Sequence, residues 1–303
     1  MRSARQYLLM ASMFLAVPVA ALLLVPTMPS GYRAFEDQND PGNVLWYVLM
    51  ILVTTGVLLI LIKRSRLGVL RALLFTAMGL GLFSMMSLFL MLAGVGDLMA
   101  MVSGALISGA LLSLLIKRPR WYVVNATGLI MGIGAALILG LSLGTLPALL
   151  FLTVMAVYDA ISVYVTKHML TLAEGIVDIG LPVVLTVPAK EGAQKVKLDL
   201  MDRSKDAQRD VMLMGLGDAI IPSVLVISAA ANLPQVSSTG WESPALLVAL
   251  VTLAAMTVGY LMLMFLTSKG RPQAGLPFLN GSAIIGFALS YLLVYQDLAF
   301  GMA

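Results

Sequence analysis

The sequence contains no cysteine and a single histidine among its 303 residues. Disulfide bonds, thiolate metal sites and cysteine nucleophiles are therefore excluded, and little is available for imidazole chemistry. Charged residues are also scarce, at 11% against the ~25% of an ordinary soluble protein. The residues that remain are mostly apolar, since 60% of the chain is hydrophobic. This composition is typical of an integral membrane protein.

Nine apolar stretches are each long enough, at roughly 20 residues, to cross the ~30 Å hydrocarbon core of a bilayer. The breaks between them carry charges or turn residues, and only the connections 28–43 and 168–210 are long. We predict an all-α membrane protein with nine transmembrane helices, in one membrane-embedded domain over residues 1–303. The predicted spans are 6–27, 44–62, 68–93, 97–116, 122–143, 146–167, 211–231, 244–267 and 275–296.

The distribution of Lys and Arg orients these spans. If the N-terminus is cytoplasmic and nine spans alternate, every basic residue except Arg33 falls on the cytoplasmic side, as the positive-inside rule requires. The C-terminus is then outside. The alternative for the first span is a cleaved signal peptide, because Arg2 and Arg5 precede an apolar run. The run is long for such a peptide, and its removal would not change the later spans.

Two acidic residues, Asp159 and Asp218, lie inside predicted spans, whereas the other acids lie in loops, at span ends or in the connection 168–210. Each costs ~2.5–3.5 kcal/mol at a helix centre, so a function is the default interpretation. Each also lies eight residues from the cytoplasmic end of its predicted span. At 1.5 Å per residue, both carboxyls are predicted ~12 Å deep on consecutive antiparallel helices.

Two carboxyls at one depth provide an acid and a base in one place. Like-charge repulsion and desolvation would leave the pair sharing one proton at neutral pH. One carboxylate then activates water to attack a carbonyl while the protonated partner assists the carbonyl oxygen and the leaving amine. We therefore predict peptide hydrolysis without a covalent intermediate. Neither a metal, an organic cofactor nor a nucleic-acid partner is implied.

The residues around these acids carry a family resemblance. Tyr158-Asp159 and Gly215-Leu216-Gly217-Asp218 resemble the YD and GxGD signatures of the presenilin and signal peptide peptidase family of intramembrane aspartyl proteases. The nine spans and the long connection after the sixth match as well. The chain is similar in size to the archaeal homologues of this family. The resemblance therefore covers essentially the whole sequence.

The resemblance implies catalytic roles for Asp159 and Asp218, with Tyr158, Gly215, Leu216 and Gly217 shaping the site. It also implies substrates that are single transmembrane helices or signal-peptide remnants in a lipid bilayer, here the cell membrane of an archaeal prokaryote. The other interpretation of the two glycines is close helix packing. The other interpretation of Tyr158 is a contact within the helix bundle.

The third family signature, Pro-Ala-Leu, is altered. At the start of the last span the sequence reads Ala274-Gly275-Leu276-Pro277, which keeps the leucine and a following proline. We predict that Gly275, Leu276 and Pro277 shape the site. Literal copies of the signature at 147–149 and 244–246 fall at the outer ends of spans six and eight, away from the predicted active site.

The connection 168–210 begins with an amphipathic stretch, 171–180, that fits a short interfacial helix. Residues 182–188 are β-branched and residues 195–202 alternate with period two, which predicts a small β-hairpin with its turn at 189–194. An exposed strand edge would pair with the backbone of an unwound substrate. The alternative is a charged solvated loop.

Two other functions fit parts of the pattern. A proton-coupled membrane transporter also needs paired membrane acids, although no second copy of either acid segment is visible. Prepilin peptidases also carry GxGD, but there a lysine follows two residues after the aspartate, and here Ile220 does. The oligomeric state is not readable from the sequence.

Overall fold

The computed structural model describes residues 4–64, 67–118, 120–165, 184–188, 211–235, 243–268, 273–297 and 300. These residues contain nine α-helices and two β-strands. A π-helical turn, Ile161–Val165, continues the sixth helix. In chain order the elements are α1 Ala4–Leu24, α2 Gly42–Lys63, α3 Leu67–Leu92, α4 Asp97–Lys117, α5 Trp121–Ser142, α6 Thr145–Ala160, β1 Val184–Pro188, β2 Val211–Gly215, α7 Leu216–Asn232, α8 Pro244–Ser268 and α9 Leu276–Tyr295.

Eight of the helices in the described part of the chain are long and apolar enough to cross a membrane, and α7 is a shorter apolar helix. The mostly helical membrane fold with a small sheet is therefore confirmed. The predicted start of the seventh span is wrong, because Val211–Gly215 forms a strand and α7 begins only at Leu216. Eight other predicted spans coincide with helices to within a few residues. The orientation and the single domain stay predictions.

The small sheet differs from the predicted hairpin in its second strand. β1 pairs antiparallel with β2, with Val184 opposite Gly215 and Pro188 opposite Val211. The first predicted strand is thus found, whereas the strand that pairs with it was predicted as helix. A short apolar run such as 211–215 does not distinguish a strand from a buried helix. The predicted strand 195–202, its turn and the interfacial helix 171–180 lie outside the described residues.

Contacts divide the chain into two units, of which the first comprises Met1–Phe14, Val53–Gly134 and Leu170–Leu216. Here α3 packs closely against α4, since a Cβ on Gly104 would lie 2.9 Å from the backbone nitrogen of Ser87. Small residues permit this approach where lipid supplies no hydrophobic driving force. The buried core of this unit is Leu70, Met78, Leu82, Leu115, Val123 and Val124.

Within the first unit, the side-chain amide of Asn125 occupies one edge of β1. Its Nδ2 donates to the carbonyl oxygen of Thr186 at 2.7 Å, and the Thr186 N–H donates to its Oδ1 at 2.9 Å. Both side chains are buried. In an antiparallel strand the N–H and the carbonyl of one residue point to the same side. Because both groups of Thr186 bond to Asn125, they point away from β2. The opposite residue, Leu213, therefore directs its backbone groups to the outer edge of β2.

The second unit comprises Leu15–Leu52, Ala135–Met169 and Gly217–Ala303. In it α8 and α9 lie close together, since a Cβ on Gly259 would come within 2.8 Å of the Phe278 carbonyl oxygen. α9 also packs against α6. α7 contains Pro222 in its interior. The end of α6 and the starts of α7 and α9 hold the two acids of the candidate site.

Candidate active site

Asp159 lies in the last turn of α6, immediately before the π-helical turn. Its side chain is buried, with 5% of its surface exposed. The backbone N–H of Leu276 donates to its Oδ2 at 3.0 Å, and the Ser162 hydroxyl donates to its backbone carbonyl at 3.0 Å. A hydrogen bond to an acidic side chain is stronger than one between neutral groups. The carboxyl is thus held against the first residue of α9.

Asp218 lies in the first turn of α7, directly after β2. Its side chain is half-buried, and it faces the residue before α9. An added Cβ on Gly275 would lie 3.1 Å from Oδ2 of Asp218, 3.3 Å from its Cγ and 3.4 Å from its Oδ1. The predicted depth of this carboxyl along a helix is wrong, because the five residues before Leu216 are extended rather than helical.

The two carboxyls therefore meet the same short piece of backbone. Asp159 contacts the nitrogen of Leu276, and Asp218 lies against Gly275, the preceding residue. The path from one carboxyl to the other runs through these two contacts and one residue of the chain, so an oxygen of Asp159 and an oxygen of Asp218 are at most about 10 Å apart. The altered third signature thus lies between two acids that the sequence separates by 58 other residues.

The remaining predicted site residues have different surroundings. Gly275 and Leu276 are buried beside the acids, and Pro277, in the first turn of α9, is partly exposed. Tyr158 is partly exposed on α6 beside Asp159. Among the described residues, no atom lies within 4 Å of a Cβ added to Gly217, so no described side chain packs against this glycine. Gly215 ends β2, and Leu216 is buried at the start of α7.

No group of three His, Asp or Glu side chains in the described residues is arranged to hold a metal ion. The expectation that the site uses no metal or organic cofactor stays a prediction. Among the described residues, the site contains a pair of acids and the backbone groups of the segment before α9. Paired carboxyls of this kind can exchange protons with water.

Comparisons with known proteins identify the family of the chain. The family model described as signal-peptide peptidase, presenilin aspartyl protease matches residues 11–295 of the chain. The chain belongs to this family. It is therefore an aspartic-type endopeptidase that cleaves within the membrane, and as a presenilin-family protease it acts on transmembrane substrates in a lipid bilayer. Family membership favours this activity over the transporter that the same two acids also allowed.

Solved structures of a presenilin family intramembrane aspartate protease are similar to the chain over nearly its whole length. In the C222 space group the relative is 30% identical, with a TM-score of 0.65, over 95% of this chain and 98% of the other. In the P2 space group the values are 32% and 0.67, over 94% and 96%. No curated protein matches the chain.

Several side chains that support the site of this presenilin-family protease are absent from the sequence-based prediction. The Asn280 Nδ2, fully buried on α9, donates to the carbonyl oxygen of Leu152 on α6 at 2.8 Å. The hydroxyl of Tyr164 bonds to the segment before α9. A polar residue inside an apolar helix is the signal that could have found Asn280. The helical periodicity of the sequence does not predict the contact of Tyr164 with this segment.

Proposed function

We propose that Asp159 and Asp218 form the catalytic dyad of this protease. The observation that carries the proposal is that both carboxyls border one dipeptide, Gly275-Leu276. A substrate peptide bond placed beside that dipeptide meets both acids at once. The N–H of Leu276 donates to one oxygen of Asp159, and the backbone of Gly275 also bonds to this carboxyl. No described atom packs against Gly217, so the substrate backbone has room there beside Asp218.

The dyad works with one shared proton. The ionised carboxylate takes a proton from water as the water oxygen bonds to the substrate carbonyl carbon, and the protonated carboxyl gives its proton to the carbonyl oxygen. The gem-diol collapses when one of its hydroxyls returns its proton to the ionised carboxylate, the C–N bond breaks, and the leaving nitrogen takes the proton of the other carboxyl. One carboxyl proton remains at the end, so the enzyme is regenerated without a covalent intermediate.

The substrates that we propose are single-span helices, type II membrane proteins or signal-peptide remnants among them. Such a helix must unwind at the cleaved bond, and its freed backbone groups need partners in a low-dielectric setting. The outer edge of β2 offers them, because Leu213 directs its N–H and carbonyl away from β1. β2 continues without a loop into α7, whose third residue is Asp218. We propose that the unwound segment adds to this edge as a strand.

The setting that we propose is the cell membrane of an archaeal prokaryote, from the similarity in size and layout to the archaeal members of the family.

The proposed dyad is tested by Asp159→Asn and Asp218→Asn, measured on a purified enzyme with a fluorogenic single-span substrate. Each variant keeps the shape of the carboxyl but cannot exchange the proton, so we expect kcat to fall by about 10²- to 10⁴-fold. The matched control is Asp97→Asn, an exposed acid at the start of α4, which should leave kcat unchanged. Full activity in either dyad variant would contradict the proposal.

A further inference from the structure

Tyr164 lies in the π-helical turn Ile161–Val165, five residues after Asp159. Its side chain is 53% exposed, yet its hydroxyl makes two hydrogen bonds. It donates to Oε1 of Gln273 at 3.0 Å and accepts the backbone N–H of Ala274 at 3.1 Å. One hydroxyl has one donor and two acceptor positions, so both bonds are compatible. The contact joins the end of α6 to the segment that leads into α9.

The π-helical turn explains how one helix reaches this segment with two side chains. In a regular α-helix, five residues at about 100° each would turn Tyr164 about 140° away from Asp159. The i→i+5 bonding of a π-helix brings residues five apart back towards one face. The contacts agree, because Asp159 bonds to Leu276 and Tyr164 bonds to Ala274, two residues earlier. Single π-turns of this kind are frequent at functional sites.

The bonded segment is the one that borders both acids. Ala274 is 1% exposed, so its N–H would be left unpaired in a buried place if the hydroxyl were removed. The next residue, Gly275, lies against Asp218, and the one after it donates to Asp159. A shift of the backbone at Ala274 is therefore transmitted through one and two peptide units to the two carboxyls.

We propose that Tyr164 is a positioning residue for the reaction: its hydroxyl holds the 273–276 backbone so that Gly275 and Leu276 keep the two carboxyls in register. This role rests on the proposed dyad, because it matters for catalysis only if both acids react. It acts through backbone groups and does not involve contact with the substrate. It therefore predicts an effect on kcat and none on KM.

The test compares Tyr164→Phe and Gln273→Ala with the unmodified enzyme, using a fluorogenic single-span substrate in lipid-containing micelles. Tyr164→Phe removes both bonds and should lower kcat by about 5- to 30-fold, with KM within about twofold. Gln273→Ala removes one bond and should lower kcat by about 2- to 5-fold. The double variant should be no slower than Tyr164→Phe, because both changes release the same contact.

The matched control is Tyr122→Phe, which removes an exposed tyrosine hydroxyl that accepts from Arg120 in the other unit, and its kcat should be unchanged. Unchanged kcat in Tyr164→Phe, a loss confined to KM, or multiplicative effects in the double variant would each overturn the inference. If Tyr164→Phe does not fold, an unchanged kcat in Gln273→Ala is by itself enough to overturn the inference. Failure of the dyad itself is distinguished by activity in Asp159→Asn or Asp218→Asn.

Discussion

Substitutions of increasing size at residue 275 test how tightly the backbone borders Asp218, one of the two acids that we propose as catalytic. Gly275 has φ −77° and ψ −46°, a conformation that any L-residue adopts. Substitutions there act through space alone. A Cβ would lie 3.1 Å from Oδ2 of Asp218, and ordinary van der Waals separation is about 3.5 Å. Alanine therefore requires Asp218 to move by only a few tenths of an ångström.

A half-buried carboxyl accommodates so small a movement by rotating about its side-chain bonds, and the family signature carries alanine at this position. We expect Gly275→Ala to keep kcat within about threefold, since catalytic groups tolerate displacements up to about 0.5 Å. Folding should become more stable by about 0.4–1 kcal/mol, because alanine restricts the unfolded chain. Thermal unfolding in micelles measures this gain.

Gly275→Val adds two further methyl groups to the same space. The Cβ itself would already lie 3.1 Å from Oδ2 of Asp218, so the added bulk should displace this carboxyl, and a displacement of about 1 Å costs about 100-fold in rate. We expect kcat to fall by that amount. Gly281→Val is the matched control on the same helix, since no described atom lies within 4 Å of a Cβ there. A Gly275→Val enzyme with more than a tenth of the original kcat would refute the geometry, as would an inactive Gly275→Ala enzyme.

Two further predictions concern the sheet. Leu213→Pro removes an N–H at the outer edge of β2 without breaking the hydrogen bonds to β1, so KM should rise about 10-fold. Leu213→Ala keeps this N–H and should change KM little. Equal KM values in the two variants would contradict strand addition. Asn125→Leu leaves the buried N–H and carbonyl of Thr186 unpaired, and should lower the free energy of unfolding by about 2–5 kcal/mol. An unchanged melting temperature would show that Thr186 has another partner.

The apolar segments and the two acids could be predicted from the sequence because each depends on composition alone. A run of some twenty apolar residues has few alternatives to a spanning helix, and a carboxyl inside such a run stands out by its insertion cost. The altered signature at 274–277 was predicted to be near the acids from the topology and the family resemblance. Its contacts, through the Leu276 N–H and the missing Cβ of Gly275, depend on backbone position that no sequence pattern encodes.

The features that could not be predicted share a physical cause. Residues 211–215 are apolar throughout, so hydrophobicity does not reveal whether they pair with a strand or continue a helix. The π-helical turn at Ile161–Val165 rotates Tyr164 out of the phase that a regular helix assigns to it. The partner of Asn125, Thr186, is 61 positions away in the chain, so no local sequence pattern reveals their contact. Each of these outcomes depends on the conformation of the folded backbone and not on the local hydrophobic pattern.

Pro222 lies inside α7, the helix of Asp218, and removes one backbone hydrogen-bond donor from it. In a regular helix the nitrogen of residue 222 would donate to the carbonyl oxygen of Asp218, four residues earlier, but proline has no hydrogen to give. That oxygen belongs to the same residue as the carboxyl that we propose as catalytic, and a carbonyl that loses its helical donor in an apolar environment requires another one. Water is a donor of the right size and is also the reagent of hydrolysis. We therefore expect the proline to favour hydration beside Asp218.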